Sequence, residues 1–330
     1  MEYILTDDQR MEIGYLDENV SLDVDVGIEN DFEIVTSKQY ANQIGMRKGC
    51  FLIVPGTEFG GPIKNVSTNT NATEVTYSGI TWRGLLKKVV IEPPTGSTHL
   101  TVSGDANRVL EELLNHGTGL YFRVPAVDSG IMIESYKFRY VEGLLGIESM
   151  LASVGARLDI VTEEGAANEG FQVLARVVKS SDYSEELDYS GDDDVNVSIY
   201  EYESGTNHLI CLGSGDGLDR DIVHLYVQLD GSILEDKQYY TGTDETTEVY
   251  DYSSAENHET LVAEGMQRLR ELMNYKTGKM QVGNIDLSIG DTVSARDREL
   301  GLIMKKQVIG KILRLSEQEE SIEYKVEGEE

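Results

Sequence analysis

Between Cys211 and Gly231 the chain reads CLGSGDGLDRDIVHLYVQLDG, with glycines alternating at Gly213, Gly215 and Gly217 ahead of Asp219 and Arg220. Such a run holds phosphate when its backbone N–H groups converge in front of a helix N-terminus. A P-loop requires G-x-x-x-x-G-K-[ST] between a strand and a helix. Here Leu218 and Asp219 follow Gly217, and no Lys-Ser or Lys-Thr follows. A dinucleotide loop requires G-x-G-x-x-G opening a helix; counted from Gly213, the sixth position is Leu218. The next residues alternate with period two, Val223, Leu225, Val227 and Leu229 against His224, Tyr226 and Gln228, which is a strand pattern. Gly213, Gly215, Gly217, Asp219 and Arg220 are therefore read as a structural loop between strands. The glycines supply positive φ, and Arg220 is available to a carboxylate.

The other reactive residues do not assemble into a site. Cys211 lies near His208 and His224, the elements of a thiol nucleophile. If HLICLG is a strand, however, His208 and Cys211 point to opposite faces, and Cys211 reads as a buried structural thiol. The five histidines form no H-E-x-x-H and no i, i+4 pair, so no zinc site is expected. Asp23 and Asp25, and Asp192, Asp193 and Asp194, fail the calcium-loop pattern and read as solvated acids. Trp82 could offer a sugar platform, but it stands where a strand gives way to RGLL and reads as a core or domain-edge residue. No residue is assigned a catalytic, cofactor-binding or metal role.

Bulk composition narrows the classes further. The chain has 330 residues, enough for two or three cores. Its 28 Lys plus Arg against 59 Asp plus Glu leave a net charge of −31. That balance opposes specific nucleic-acid binding and docking on anionic lipid. The two cysteines exclude a disulfide scaffold. The start MEYILTDDQR lacks the features of a secretory signal, and the longest apolar run, CFLIV, is far too short to span a bilayer. A protein made and soluble in the cytoplasm is expected, with no stable membrane insertion.

The elements follow from pattern. EIVTSKQYA, GCFLIVPGTEFGG and TEVTYSGITWRGLL read as strands, and IEPPTGSTH as a boundary. SGDANRVLEELLNHG is a helix with Ser103 as N-cap and Gly117 after its end. EGLLGIESMLASVG is a second helix, and ARLDIV and FQVLARVV are strands. An acidic connector, SDYSEELDYSGDDDVN, precedes further strands, with a hairpin turn at Asp230–Gly231. A long helix in SSAENHETLVAEGMQRLRELMN begins with a capping box at Ser253 and Glu256. Its apolar face is Leu261, Val262, Gly265, Met266, Leu269, Leu272 and Met273. Strands close the chain, with turns at RDRELG and SEQEES, and no short repeat is visible.

TYSGITWRGLLKKVVIEPP, LTVSGDANRVLEELL and LICLGSGDGLDRDIVHLYVQLDG, in this order, resemble the siphophage tail-tip hub proteins. This is the Gp37-like or tail-associated lysin N-terminal family, similar in fold to the baseplate hub of contractile phages. The resemblance runs from about residue 10 to the end. Its motifs fall on Gly79 through Leu85, on Gly213, Gly215 and Arg220, and on IGDTVSARDRELG. It implies a homotrimer in which each chain gives two β-barrels, making a six-barrel ring under a hexameric tail tube. It also implies partners: a distal tail protein, a tape-measure protein and a tail fibre or spike. Relatives often carry a long C-terminal extension with fibres or a peptidase, whereas this chain stops at Glu330. That fits the hub alone, or a piece of a longer chain, and places enzymatic activity in doubt.

The expected fold class is α+β, mainly antiparallel β, with two β-barrel-like hub domains. These are an N-terminal barrel at 1–100, a peripheral α+β domain at 101–194 and a second barrel at 195–330, with a helix insert near 254–274. The expected function is a structural, non-enzymatic hub at the virion tail tip that passes tape measure and DNA without binding DNA. Carboxylates lining its bore would repel phosphate. Two other classes stay open: a cell-wall hydrolase or endopeptidase built on Cys211, His224 and a carboxylate, and a carbohydrate-binding protein using Trp82 and exposed tyrosines.

Overall fold

The computed structural model describes residues 1–17, 19–115, 121–165, 170–183, 195–201, 205–215, 217–228, 232–235, 237–255, 257–273, 276–282, 286–296, 303–316 and 320–326. The chain divides into two compact units, Met1–Val197 with Met280–Glu327, and Ser198–Lys279 with Gly328–Glu330.

The first unit opens with β1 (Ile4–Thr6), β2 (Glu12–Tyr15), β3 (Val20–Val26) and β4 (Asp31–Ser37). In β3 the sequence VSLDVDV buries Val20, Leu22, Val24 and Val26 and turns Ser21 and Asp23 outward, the alternation of a half-buried strand. The acids noted in this stretch have structural partners. Asp23 accepts from Arg314 Nε (3.1 Å), and Asp25 Oδ1 accepts from the Glu29 amide (2.9 Å) in the following turn. After β4 the chain turns into α1 (Lys38–Gln43), where a continuing strand was expected. Ser37 caps α1 by accepting from the Tyr40 amide. Next come β5 (Phe51–Ile53), β6 (Gly60–Thr68), β7 (Glu74–Ile80) and α2 (Trp82–Lys87). The CFLIV run is explained here. Phe51 and Ile53 enter one core and Cys50, Leu52 and Val54 another, so the strand is buried on both faces.

Strand β8 (Val90–Ile91) and β9 (Leu100–Asp105) lead to α3 (Ala106–Asn115). Ser103, the expected N-cap, lies in β9. Asp105 takes the capping place, accepting from the Asn107 amide at 2.9 Å. The expected C-terminal glycine, Gly117, lies outside the described residues. Strands β10 (Phe122–Arg123), β11 (Met132–Phe138) and β12 (Val141–Glu142) precede α4 (Gly143–Ala152), β13 (Ala156–Glu163) and β14 (Gln172–Lys179). Helices α3 and α4 bury Leu110, Leu113, Ile147 and Leu151 with Leu158 and Val173 of the β10-β14-β13 sheet.

Strand β15 (Val195–Glu201) carries the chain into the second unit. That unit contains β16 (His208–Leu212), β17 (Ile222–Val227), β18 (Ile233–Leu234), β19 (Thr247–Asp251) and α5 (His258–Leu272), with sheet order β18-β17-β16-β19. Helix α5 starts later than expected. Its cap is Asn257, whose side chain accepts from the Thr260 amide (2.8 Å). Glu256, Asp230–Gly231 and Asp192–Asp194 lie outside the described residues. Leu261, Met266 and Leu269 of α5 cover Leu209, Cys211, Val223 and Leu225. A Cβ at Gly265 would lie 2.4 Å from Cys211 Sγ, so glycine is what lets helix and sheet meet.

The chain returns through β20 (Lys276–Val282), which pairs with β15, then β21 (Thr292–Arg296), β22 (Ile303–Leu315) and β23 (Glu320–Val326). The turns expected at RDRELG and SEQEES fall largely outside the described residues. Strand β22 pairs with β3, completing a 10-stranded sheet of order β2-β1-β5-β6-β7-β4-β3-β22-β21, with β23 also on β22. The α+β class with mainly antiparallel strands is what the structure has. Among the described residues, no pairing closes this sheet into a barrel. The C-terminal strands, expected within 195–330 as part of a second barrel, pair with the N-terminal block. Among the described residues, no helix is long and apolar enough to cross a membrane.

Candidate functional site

The glycine loop joins β16 to β17, and its own backbone closes it. The Gly213 amide donates to the Asp221 carbonyl (2.8 Å) and the Asp221 amide to the Ser214 carbonyl (2.9 Å). Arg220 Nε donates back to the Gly213 carbonyl (3.1 Å), and its Nη2 reaches Asp251 (2.6 Å). Asp219 ends a single 3-10 turn beginning at Gly217. A strand, not a helix, follows. The five residues thus form a turn whose cation is already engaged. At Gly215 the φ is +102° and a Cβ would lie 2.4 Å from the Asp219 carbonyl; at Gly217 the φ is +57° with open space around it. Gly215→Ala should therefore cost about 1–3 kcal/mol and Gly217→Ala less, read from chemical denaturation of the full chain.

Cys211 and the histidines stand on opposite faces of the second unit's sheet. Cys211 is under α5, and burial pushes its thiol up to about 11, so it stays protonated. On the other face His208 Nε2 lies 2.9 Å from His224 Nδ1, and His208 Nδ1 lies 2.8 Å from Glu245 Oε1. Tyr226 stacks on His208 with ring centres 4.4 Å apart. This is an imidazole–carboxylate chain, joined at His208 Nδ1 by the Thr247 hydroxyl at 3.1 Å, and Cys211 has no part in it. The cysteine–histidine arrangement required by the hydrolase reading is not formed.

His258, at the start of α5, meets Asp221 at 3.0 Å. The hydrogen bond to Asp221 and that carboxylate's charge raise the imidazole above 6.5. Their contribution to stability is present below 6.5 and lost as pH rises through the folded-state value. An NMR titration should show His258 above the usual histidine value in the wild type and returning toward it in Asp221→Asn.

Trp82 is fully buried in the first unit, its ring 6.2 Å from Phe51 and 5.8 Å from Phe171, and offers no face to a sugar. The adjacent Arg83 is the feature that sequence reading missed. Thr81 caps α2, and the short helix carries Arg83 inward with Leu85 and Leu86. Arg83 Nε donates to Glu58 (2.7 Å), Nη1 to Glu148 (2.7 Å) and Nη2 to the Leu158 carbonyl (2.9 Å). Lys311 of β22 reaches the other oxygen of Glu58 at 2.8 Å. The only available signal was a lone arginine inside the apolar run ITWRGLL.

Burial by itself would raise the Glu58 carboxyl, but the Arg83 and Lys311 charges outweigh it and hold it at about 2. For Glu148 desolvation wins over Arg83, and its carboxyl sits above the usual range. Glu58 is thus the principal counter-ion. A cleft of about 730 Å³ opens beside this network, lined by Arg157, Asp159, Arg176 and Glu320 among others. Its cations are bound by acids, with Asp159 taking both Arg157 (2.9 Å) and Arg176 (2.8 Å). It therefore presents paired charge, not an anion receptor.

Removing one member of the network strands the rest. Arg83→Met should cost about 3–5 kcal/mol in denaturant unfolding. Because folding lowers the Glu58 pKa, its ion pairs stabilise the fold above 4.5 and are lost as pH falls toward about 2. Glu58→Gln should be less stable at neutral pH and flatten that acid limb.

No family model matches the chain, and no curated protein matches it. The fold is that of prophage tail proteins. Over 99% of its length the chain superposes on the 43 kDa tail protein of prophage MuSo2 from Shewanella oneidensis, with TM-score 0.58, 13% identity and 98% of that chain covered. The tail protein from Neisseria meningitidis MC58 gives TM-score 0.56 at 14% identity, covering 99% of this chain and 96% of that one. Prophage tail protein gp18 from Listeria monocytogenes EGD-e gives 0.50 at 12% identity, covering 99% and 94%.

Proposed function

We propose that this chain is a structural hub of a phage or prophage tail tip. The observation that carries the reading is the likeness to tail proteins over nearly the whole of both chains. The hub is a homotrimer that joins a distal tail protein on the tube side to a fibre or spike on the host side. Tape-measure protein and DNA pass through its centre. Its work is assembly and gating, with no covalent step and no cofactor. Gly213, Gly215, Gly217, Asp219 and Arg220 shape a strand connection in this reading. The excess of 59 acids over 28 bases serves the bore, where carboxylates keep phosphate from adhering.

Light scattering of the purified chain over a concentration series, followed by negative-stain imaging, tests the reading. A mass of three chains and a ring with a central hole is the expected result. A strict monomer at high concentration, and on assembled tails no threefold density at the tip, would overturn it. A trimer with a neutral or basic bore would remove the role given to the acids. Zymography should show no wall degradation by the full chain.

A further inference from the structure

The second unit covers one face of its sheet with α5, and described side chains on the other face stand exposed. On that face, cross-strand register places Leu212 beside Ile222, Ile210 beside Val249, and Leu234 beside Tyr226. Ile222 is 49% exposed, Leu234 42% and Val249 62%. The three stand on separate strands and share the face with exposed His224, which lies between Ile222 and Tyr226 on β17; large aliphatic side chains on one solvated sheet face mark a surface that a partner covers.

The charge around this face narrows what covers it. Among the described strand positions of the face, only Asp251 is acidic, and Arg220 binds it at 2.6 Å. Glu245, held by His208, and exposed Asp219 stand at its margin, on a chain of net charge −31. A second copy of the chain would bring the same acids to the same margin. A surface with apolar side chains and a lysine- and arginine-rich margin meets the exposed aliphatics and is attracted by Asp219 and by the chain's net negative charge.

We propose that the face of the β18-β17-β16-β19 sheet opposite α5 docks a different protein, one that presents apolar side chains within a basic rim. Ile222, Val249 and Leu234 are its anchors. The stacked His208 and Tyr226 form a flat, rigid floor at one end. The face lies wholly within the second unit and does not depend on the trimer proposed above.

The probes are two synthetic amphipathic helical peptides with the same leucine face, one with lysine and one with glutamate at the polar positions. Each is titrated against the full chain by fluorescence anisotropy, and hydrogen–deuterium exchange gives the footprint. The lysine peptide should bind, protect 208–212 and 222–227, and lose about tenfold in affinity on the Ile222→Ser/Val249→Ser double variant. Leu234→Asn, a separate exposed change, should weaken it by a smaller factor. The glutamate peptide should not bind. Equal affinity for wild type and double variant, a footprint elsewhere on the acidic surface, or no binding of the lysine peptide would overturn the proposal. So would wild-type dimers in light scattering that the double variant abolishes, since the face would then belong to a second copy.

Discussion

The first unit depends on a guanidinium taken out of water. Arg83 lies on a six-residue helix, yet it reaches Glu58 in the β5–β6 connection, Glu148 on α4 and the Leu158 carbonyl on β13. Lys311 brings β22 to the same carboxylate. A buried cation and a buried anion are each costly alone and tolerable together when their hydrogen bonds are filled. The network is therefore a positional constraint more than a source of net stability. It ties the strand block, the helical layer and the returning C-terminal strand together, because parting any of them from Arg83 or Glu58 strands a charge.

The apolar packing respects the same arrangement. Strand β5 divides two cores, sending Phe51 and Ile53 toward the helices and Leu52 toward the large sheet. Trp82 stacks on Phe51 immediately beside the ion network. Hydrophobic burial has no preferred direction, whereas a three-armed arginine has a rigid donor geometry. The two act together, area supplying the driving force and Arg83 the orientation.

The second unit reaches its fold by simpler means. One amphipathic helix covers one face of a four-stranded sheet, and Gly265 lets the helix approach Cys211. The reactive-looking residues are consumed in this construction. Cys211 is core, Arg220 and Asp219 shape a turn, and His208 binds Glu245. Besides these, the unit's described surface offers exposed apolar side chains, on a chain of net negative charge.

By itself the sequence determined what depends on neighbouring residues. Strand pattern marks β13, β14 and β17, and helical spacing marks α3, α4 and α5. The missing Lys-Ser or Lys-Thr and the strand after Arg220 rule out a phosphate loop, since a cradle needs its helix close in sequence. The resemblance in TYSGITWRGLL and LICLGSGDGLDR pointed to the tail-protein fold. Tertiary structure alone decided what depends on distant partners. Strand β22 pairs with β3 almost three hundred residues away, and the sheet stays unclosed among the described residues. The short helices α1 and α2 replace expected strand because Ser37 and Thr81 cap them and the cores receive them. Arg83 reads as an ordinary surface cation until Glu58, Glu148 and Lys311, each at least 25 residues away, are brought around it. Local pattern sets which face of an element is apolar, but pairing of strand edges and buried charges is settled only when separate segments share one interior.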